Sequence, residues 1–217
     1  AQETSKNNTA ITKLEEDPKH YTQEMKKRDF YKYECGKEQA EEKLRAVFSE
    51  IAEFETKIQD YGYVAQKFGN PSLIDNSVKQ VDVIKLEINN MRGLWEHISF
   101  CQNMFDNFQN STWENLEPSE MEDEVKKVQK TLKEMKVDKR CNAYQGIFEE
   151  IKRWLQFLPL ISELRDDAMR DRHWDAIREK VQVNFVVDSK LMLRDVYNLN
   201  LNKYQEDVEE ITDQARQ

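Results

Sequence analysis

Glycine and proline are scarce in this chain, with five and four among 217 residues. An all-β chain needs such residues at its many turns, so strands are excluded as the main element. The glycines, at positions 36, 62, 69, 93 and 146, never form GxGxxG or GxxxxGK followed by Ser or Thr. Those spacings let backbone amides cradle a phosphate, and without them the residues offer no nucleotide site. The three cysteines, Cys35, Cys101 and Cys141, lie far apart with no CxxC pair, which supports neither a zinc site nor a disulfide framework and fits a reducing compartment. His20, His97 and His173 are too scattered for a metal triad, and no serine stands in a nucleophile elbow. His97 lies between Trp95 and Ile98, and His173 precedes Trp174, so both read as structural. The Asn7 and Asn110 glycosylation patterns carry no weight without a signal peptide, and the first ten residues are polar rather than signal-like. No apolar run approaches a membrane span. A basic cluster is missing too: the net charge is -9, which disfavours nucleic acid as a partner. A start at Ala1 without methionine reads as an excerpt.

What is present is helical periodicity. Hydrophobic residues make up 38% and charged residues 35%, a balance that suits elongated helices each burying one stripe. Ala40, Leu44, Val47, Ile51, Phe54, Ile58, Tyr61, Ala65 and Phe68 alternate in steps of four and three, the mark of a long packed helix. Gly69-Asn70-Pro71 ends it, with glycine as the stop and Asn70 and Pro71 as cap and first residue of the next helix. Val81, Ile84, Ile88, Met91, Trp95, Ile98, Cys101, Phe105 and Phe108 form a second stripe. So tight a break between two long helices predicts an antiparallel hairpin. Gly93 interrupts the second stripe, and close approach of a neighbouring helix is the expected reason.

Further along, Pro118-Ser119 opens a third helix with the capping-box pair Ser119 and Glu122. Its stripe is Met121, Val125, Val128, Leu132 and Met135. Acidic residues at its start and basic ones after its end complement the helix dipole. A fourth helix carries Tyr144, Phe148, Ile151, Leu155 and Leu158, until Pro159 kinks or restarts the chain. Trp174, Ile177 and Val181 continue the apolar pattern, and Val183 to Val187 reads as an extended connector. A short helix near Leu191 to Val196 and a last one through Tyr204, Val208, Ile211 and Ala215 complete the chain. The four tryptophans lie on or beside these stripes, which makes them packing anchors rather than a ligand cage. The anchors predicted are Trp95, Trp154, Trp174, Ile177 and Phe185. No catalytic, cofactor or metal residue is assigned.

The second half resembles a known family. Trp154-Leu155, Leu158-Pro159-Leu160-Ile161, Met169-Arg170-Asp171-Arg172-His173-Trp174, Val183-Asn184-Phe185, Leu191 to Leu201, and Lys203-Tyr204 through Ala215 resemble, in order, the start of the linker in dynein heavy chains. Met91-Arg92-Gly93-Leu94-Trp95 extends the likeness upstream. The resemblance implies a non-catalytic mechanical segment between the tail and the linker, the lever lying across an ATPase ring, in a microtubule motor. The residues themselves set off a polar lead-in over 1–18, closed by Asp17-Pro18, and the resemblance implies a tail-like helical bundle over 19–139 and the linker start over 140–217. It also implies partners: the rest of the heavy chain with its ring, other heavy, intermediate or light chains, and microtubules indirectly. ATP and magnesium are expected only in that downstream ring, and Arg172 to Arg178 leans toward the axonemal type, hence a cilium or flagellum. No membrane partner is expected. Read from the residues alone, the fold class is all-α, an elongated antiparallel helical bundle with little or no β. The competing reading is a spectrin-like scaffold or tethering coiled coil with no motor attached.

Overall fold

The computed structural model describes residue 13 and residues 16–217. It is all-helical as expected, and no strand forms among the described residues. The helices are α1 (16–25), α2 (Lys37–Lys67), α3 (Asp75–Gln109), α4 (Pro118–Glu134), α5 (Asn142–Leu164), α6 (Asp171–Val181), α7 (Leu193–Tyr197) and α8 (Gln205–Arg216). Short 3-10 turns lie between several of them. The chain divides into two compact units, neither continuous in sequence. The first takes the chain up to Glu96 together with Met135–Gly146; the second takes His97–Glu134 and Ile147–Gln217.

The first unit is built on the α2–α3 hairpin. Gly69, at φ 75, ends α2 in the left-handed region that glycine enters without strain. The Asn70 N–H then donates to Ala65 O (2.9 Å) and the Gly69 N–H to Gln66 O (3.1 Å). These are the two bonds of a Schellman motif, which satisfies carbonyls the helix would otherwise leave open. Asn70 stands at the cap position, but its Oδ1 accepts from the Ser72 hydroxyl (3.1 Å) rather than from a backbone amide. Contacts along the two helices run in opposite directions: Lys85 reaches Glu55 (2.5 Å), and the Arg92 guanidinium lies 5.6 Å from the Phe48 ring centre. The hairpin is therefore antiparallel.

On α2, Ala40, Leu44, Val47, Ile51, Ile58 and Ala65 are buried. Phe54 and Tyr61 are only half-buried, and Phe68 is 70% exposed. Phe68 is the C-cap residue, where the helical period no longer aims a side chain. The predicted stripe of α3 is buried at every position from Val81 to Phe108. Gly93 lacks the close neighbour expected, because a Cβ there would meet nothing within 4 Å. Close packing does not account for it. Asp17-Pro18 does not close a lead-in: Pro18 is buried and helical within α1, its fixed φ being compatible with a helix. Of the predicted lead-in, residues 1–12, 14 and 15 fall outside the described residues.

In the second unit, α4 begins one residue earlier than its predicted cap. Pro118 is its first residue and the Met121 N–H donates to Glu117 O (3.0 Å), so Glu117 holds the cap position and Ser119 lies inside the first turn. Met135 lies beyond the end of α4 and is half-buried. Pro159 does not break α5, which continues to Leu164. The proline is exposed, so the donor it removes is lost on the solvent side, where water can replace it. Phe148 and Leu155 are half-buried on α5, with Ile147, Trp154 and Phe157 taking the inner positions. After α6, Gln182 adopts a left-handed conformation (φ 57) and residues 183–187 run without regular structure, as the β-branched connector predicts. Here α6 packs against α8 and the turn Leu201–Tyr204.

Candidate functional site

The most concentrated side-chain constellation is aromatic and lies in the second unit. The spacing of Cys101, Phe105 and Phe108 puts them on one face of α3, and Trp154 meets that face from α5. The Trp154 indole is stacked on Phe105 (centroids 5.1 Å, planes 10° apart) and on Tyr197 of α7 (4.8 Å, 18°). Phe108 and Phe157 meet it edge-on at 5.6 and 5.7 Å. Aromatic pairs of these geometries contribute about 0.5–1.5 kcal/mol each beyond the area they bury. Trp154 therefore ties α3, α5 and α7 with one fully buried ring.

A second group centres on Trp174 in α6. Its ring is edge-on to Trp113 (5.9 Å) and to Phe185 (6.0 Å), while Ile177, one turn along, is buried. Arg178 fastens the connector to its own helix: the guanidinium lies 5.2 Å from the Phe185 ring centre, and Nε donates to Phe185 O (2.7 Å). Val181, placed on the same predicted stripe, is only half-buried, since it ends the helix. The loop holding Trp113 is bound to the segment before α7. The Trp113 N–H donates to Leu191 O (2.8 Å) and the Leu193 N–H to Ser111 O (2.9 Å), around a bridge between Thr112 and Met192. Asn110, part of a glycosylation pattern, accepts a bond from Arg194.

Of the five predicted anchors, Trp154, Trp174, Ile177 and Phe185 fall in the second unit, and Trp174 and Phe185 touch. Trp95 belongs to the first unit, where its indole N–H donates to Phe30 O (2.7 Å, buried). Sequence reasoning missed Phe30 and Met25, both fully buried, because neither sets up a helical period: Met25 stands among charged residues, and Phe30 opens the short run Phe30-Tyr31-Lys32-Tyr33. It also missed Tyr197 as the second face of the Trp154 sandwich. The aromatic fraction of α7 was its only signal.

The titratable groups near these clusters are held by burial. The His97 Nε2–H donates to Val128 O (2.9 Å), and burial lowers the ring's pKa against the opposing effect of that carbonyl. Burial pushes the Cys101 thiol up to about 12, leaving it protonated and unreactive. His173 Nδ1 accepts from the Arg170 N–H (2.9 Å) at the start of α6. Among the described residues no three His, Cys, Asp or Glu side chains converge as metal ligands, and no helix is long and apolar enough to cross a membrane. A groove of about 500 Å³ between α3 and α4 is lined mainly by Phe100, Met104, Phe108 and Val128, with Glu124 and Lys127 at its side. What the aromatic clusters do is lock helices and a connector into one arrangement.

Comparison with known proteins gives this packing its context. The chain is 27% identical over 200 residues to the dynein alpha chain of the flagellar outer arm of Chlamydomonas reinhardtii, covering 91% of this chain and 4% of that one. It is 29% identical over 159 residues to dynein axonemal heavy chain 17 of Mus musculus, covering 71% and 4%. It is 28% identical over 138 residues to the cytoplasmic dynein heavy chain of Drosophila melanogaster, covering 63% and 3%. The chain thus spans a few hundredths of the length of these relatives. Residues 81–217, from within α3 to the last residue, match the family described as dynein heavy chain, N-terminal region 2, and the chain belongs to that family.

Proposed function

We propose that this chain is a non-catalytic, load-bearing segment that joins the tail of a dynein heavy chain to its linker. The observation that carries the reading is the family match over 81–217, which assigns the chain to the N-terminal region of the heavy chain. The resemblance of residues 140–217 to the start of the linker supports the finer placement, with the tail-like bundle before it. Packing of α6 and the connector through Trp174, Phe185 and Arg178 suits transmission of load, because a junction that bends freely would dissipate it. In this reading ATP and magnesium act only in a ring downstream, and microtubules are engaged elsewhere in the heavy chain. Intermediate or light chains are the proposed partners. Flagellar and ciliary chains among the relatives favour an axonemal setting.

The test is Trp174→Ala in the full-length heavy chain. Truncating a buried tryptophan costs roughly 3–5 kcal/mol, enough to loosen a junction locally. ATP hydrolysis by the ring should be largely kept while microtubule gliding slows. Equal loss of both activities would indicate misfolding, and unchanged gliding would remove load-bearing from this junction.

A further inference from the structure

We infer that residues 16–35 form a strap that opens as one piece about Gly36 while the α2–α3 hairpin stays folded. The strap consists of α1 and the turns Asp29–Tyr31 and Tyr33–Cys35. Its own backbone hydrogen bonds close inside it, from Lys26 to Thr22 through to Gly36 to Tyr33. It is attached by two buried plugs, Met25 and Phe30, and by a set of side-chain clasps. Tyr21 donates to Glu50 Oε2 (2.6 Å), and Arg28 makes two bonds to the same carboxylate (2.8 and 3.3 Å). Tyr31 donates to Glu87 Oε1 (2.7 Å), and Lys43 pairs with Asp29. Trp95 holds Phe30 O, and Asn142 Oδ1 accepts from the Tyr33 N–H (2.9 Å).

The clasps thus reach α2 through Glu50 and Lys43, α3 through Glu87 and Trp95, and the start of α5 through Asn142. Their arrangement makes the strap a separate cooperative element. Apart from the buried Trp95 bond to Phe30 O, the clasps are part-buried or exposed side-chain bonds, of the kind that opens well below global unfolding. The hairpin beneath retains its own bonds and its apolar seam when the strap leaves. The pivot is Gly36, at φ 81 and ψ 155, a region open essentially to glycine alone. Its carbonyl accepts from the Ala40 N–H (3.0 Å), so α2 starts at the pivot and keeps its first bond as the strap swings.

Native-state hydrogen exchange of the whole chain, read by mass spectrometry, tests this with two variants on different helices. Glu50→Gln weakens the Tyr21 and Arg28 clasps on α2, and Tyr31→Phe removes the Glu87 clasp on α3, with the Lys43 and Trp95 attachments left in place. Each should speed exchange across all of residues 22–35 by about tenfold, the ratio expected for loss of one such bond, and leave peptides from 81–96 unchanged. Acceleration confined to the few residues beside each substitution would overturn the inference. So would equal acceleration in α2 and α3, which would make the strap part of the hairpin's own cooperative unit.

Discussion

Gly93 and Gly146 are both helical, and their surroundings are opposite. A Cβ on Gly93 meets open space, whereas one on Gly146 would lie 2.1 Å from Tyr33 Cγ. Gly93→Ala should therefore raise stability by about 1 kcal/mol through helix propensity. Gly146→Ala should lower it by about 1–3 kcal/mol through overpacking. Urea denaturation of the two variants checks the opposite signs. Nothing in the sequence could sort them, since a helical glycine carries no side chain to report on its neighbours. His97 makes a second residue-scale case. Its folded pKa lies below the unfolded value near 6.5, so the unfolded chain binds the proton more readily. Stability from this site is complete above about pH 6.5 and falls as the pH drops through the folded value. A thermal midpoint that declines between about pH 7 and pH 5, and declines less in His97→Gln, is the expected result. The carboxylates of Glu50 and Asp29, held low by Arg28 and Lys43, and of Asp166, held low by the Ala168 N–H and then by Arg216, titrate below that window and do not mask it.

The hairpin of α2 and α3 is the element most plainly written in the sequence, because two heptad stripes meet at a turn whose residues each have one conformational use. Cysteines placed at Glu55 and Lys85 should be joined within one molecule by a short thiol-reactive crosslinker, since the native side chains already touch at 2.5 Å. Crosslinks forming only between molecules would overturn the antiparallel pairing. Other elements are less legible. The strap before α2 leaves no sequence signal because its two apolar plugs, Met25 and Phe30, set up no period and its other attachments are polar pairs such as Tyr21 with Glu50, distant in sequence. Pro159 reads in the sequence as an interruption, but the cost of a helical proline depends on which side loses its donor. That side is set by packing rather than by the residue itself.

For the molecule as a whole, the all-helical class and the family are readable from the sequence. The resemblance is clearest over 140–217, and the family match begins earlier, at residue 81. The division into two units is not readable, because Met135–Gly146 returns to the first unit after α4 has contributed to the second. Periodicity reports faces of helices, not which distant segment they meet. The isolated chain should give a strongly helical circular dichroism spectrum and no saturable heat on titration with ATP, because none of its glycines stands in a phosphate-cradling loop. A single tight site would contradict the proposed division of labour.

The tie between the Trp113 loop and the segment before α7 has a bearing on how the second unit comes together in time. Arg194 and Asn110, which grip each other beside that tie, are 84 residues apart in sequence. Closing so long a loop early carries a large entropic cost, whereas α4, α5 and α6 form from neighbouring residues. The separation therefore predicts that the tie closes after the helices between its ends have assembled. A newly made chain cannot complete the Trp113 contact until it has been synthesised as far as α7.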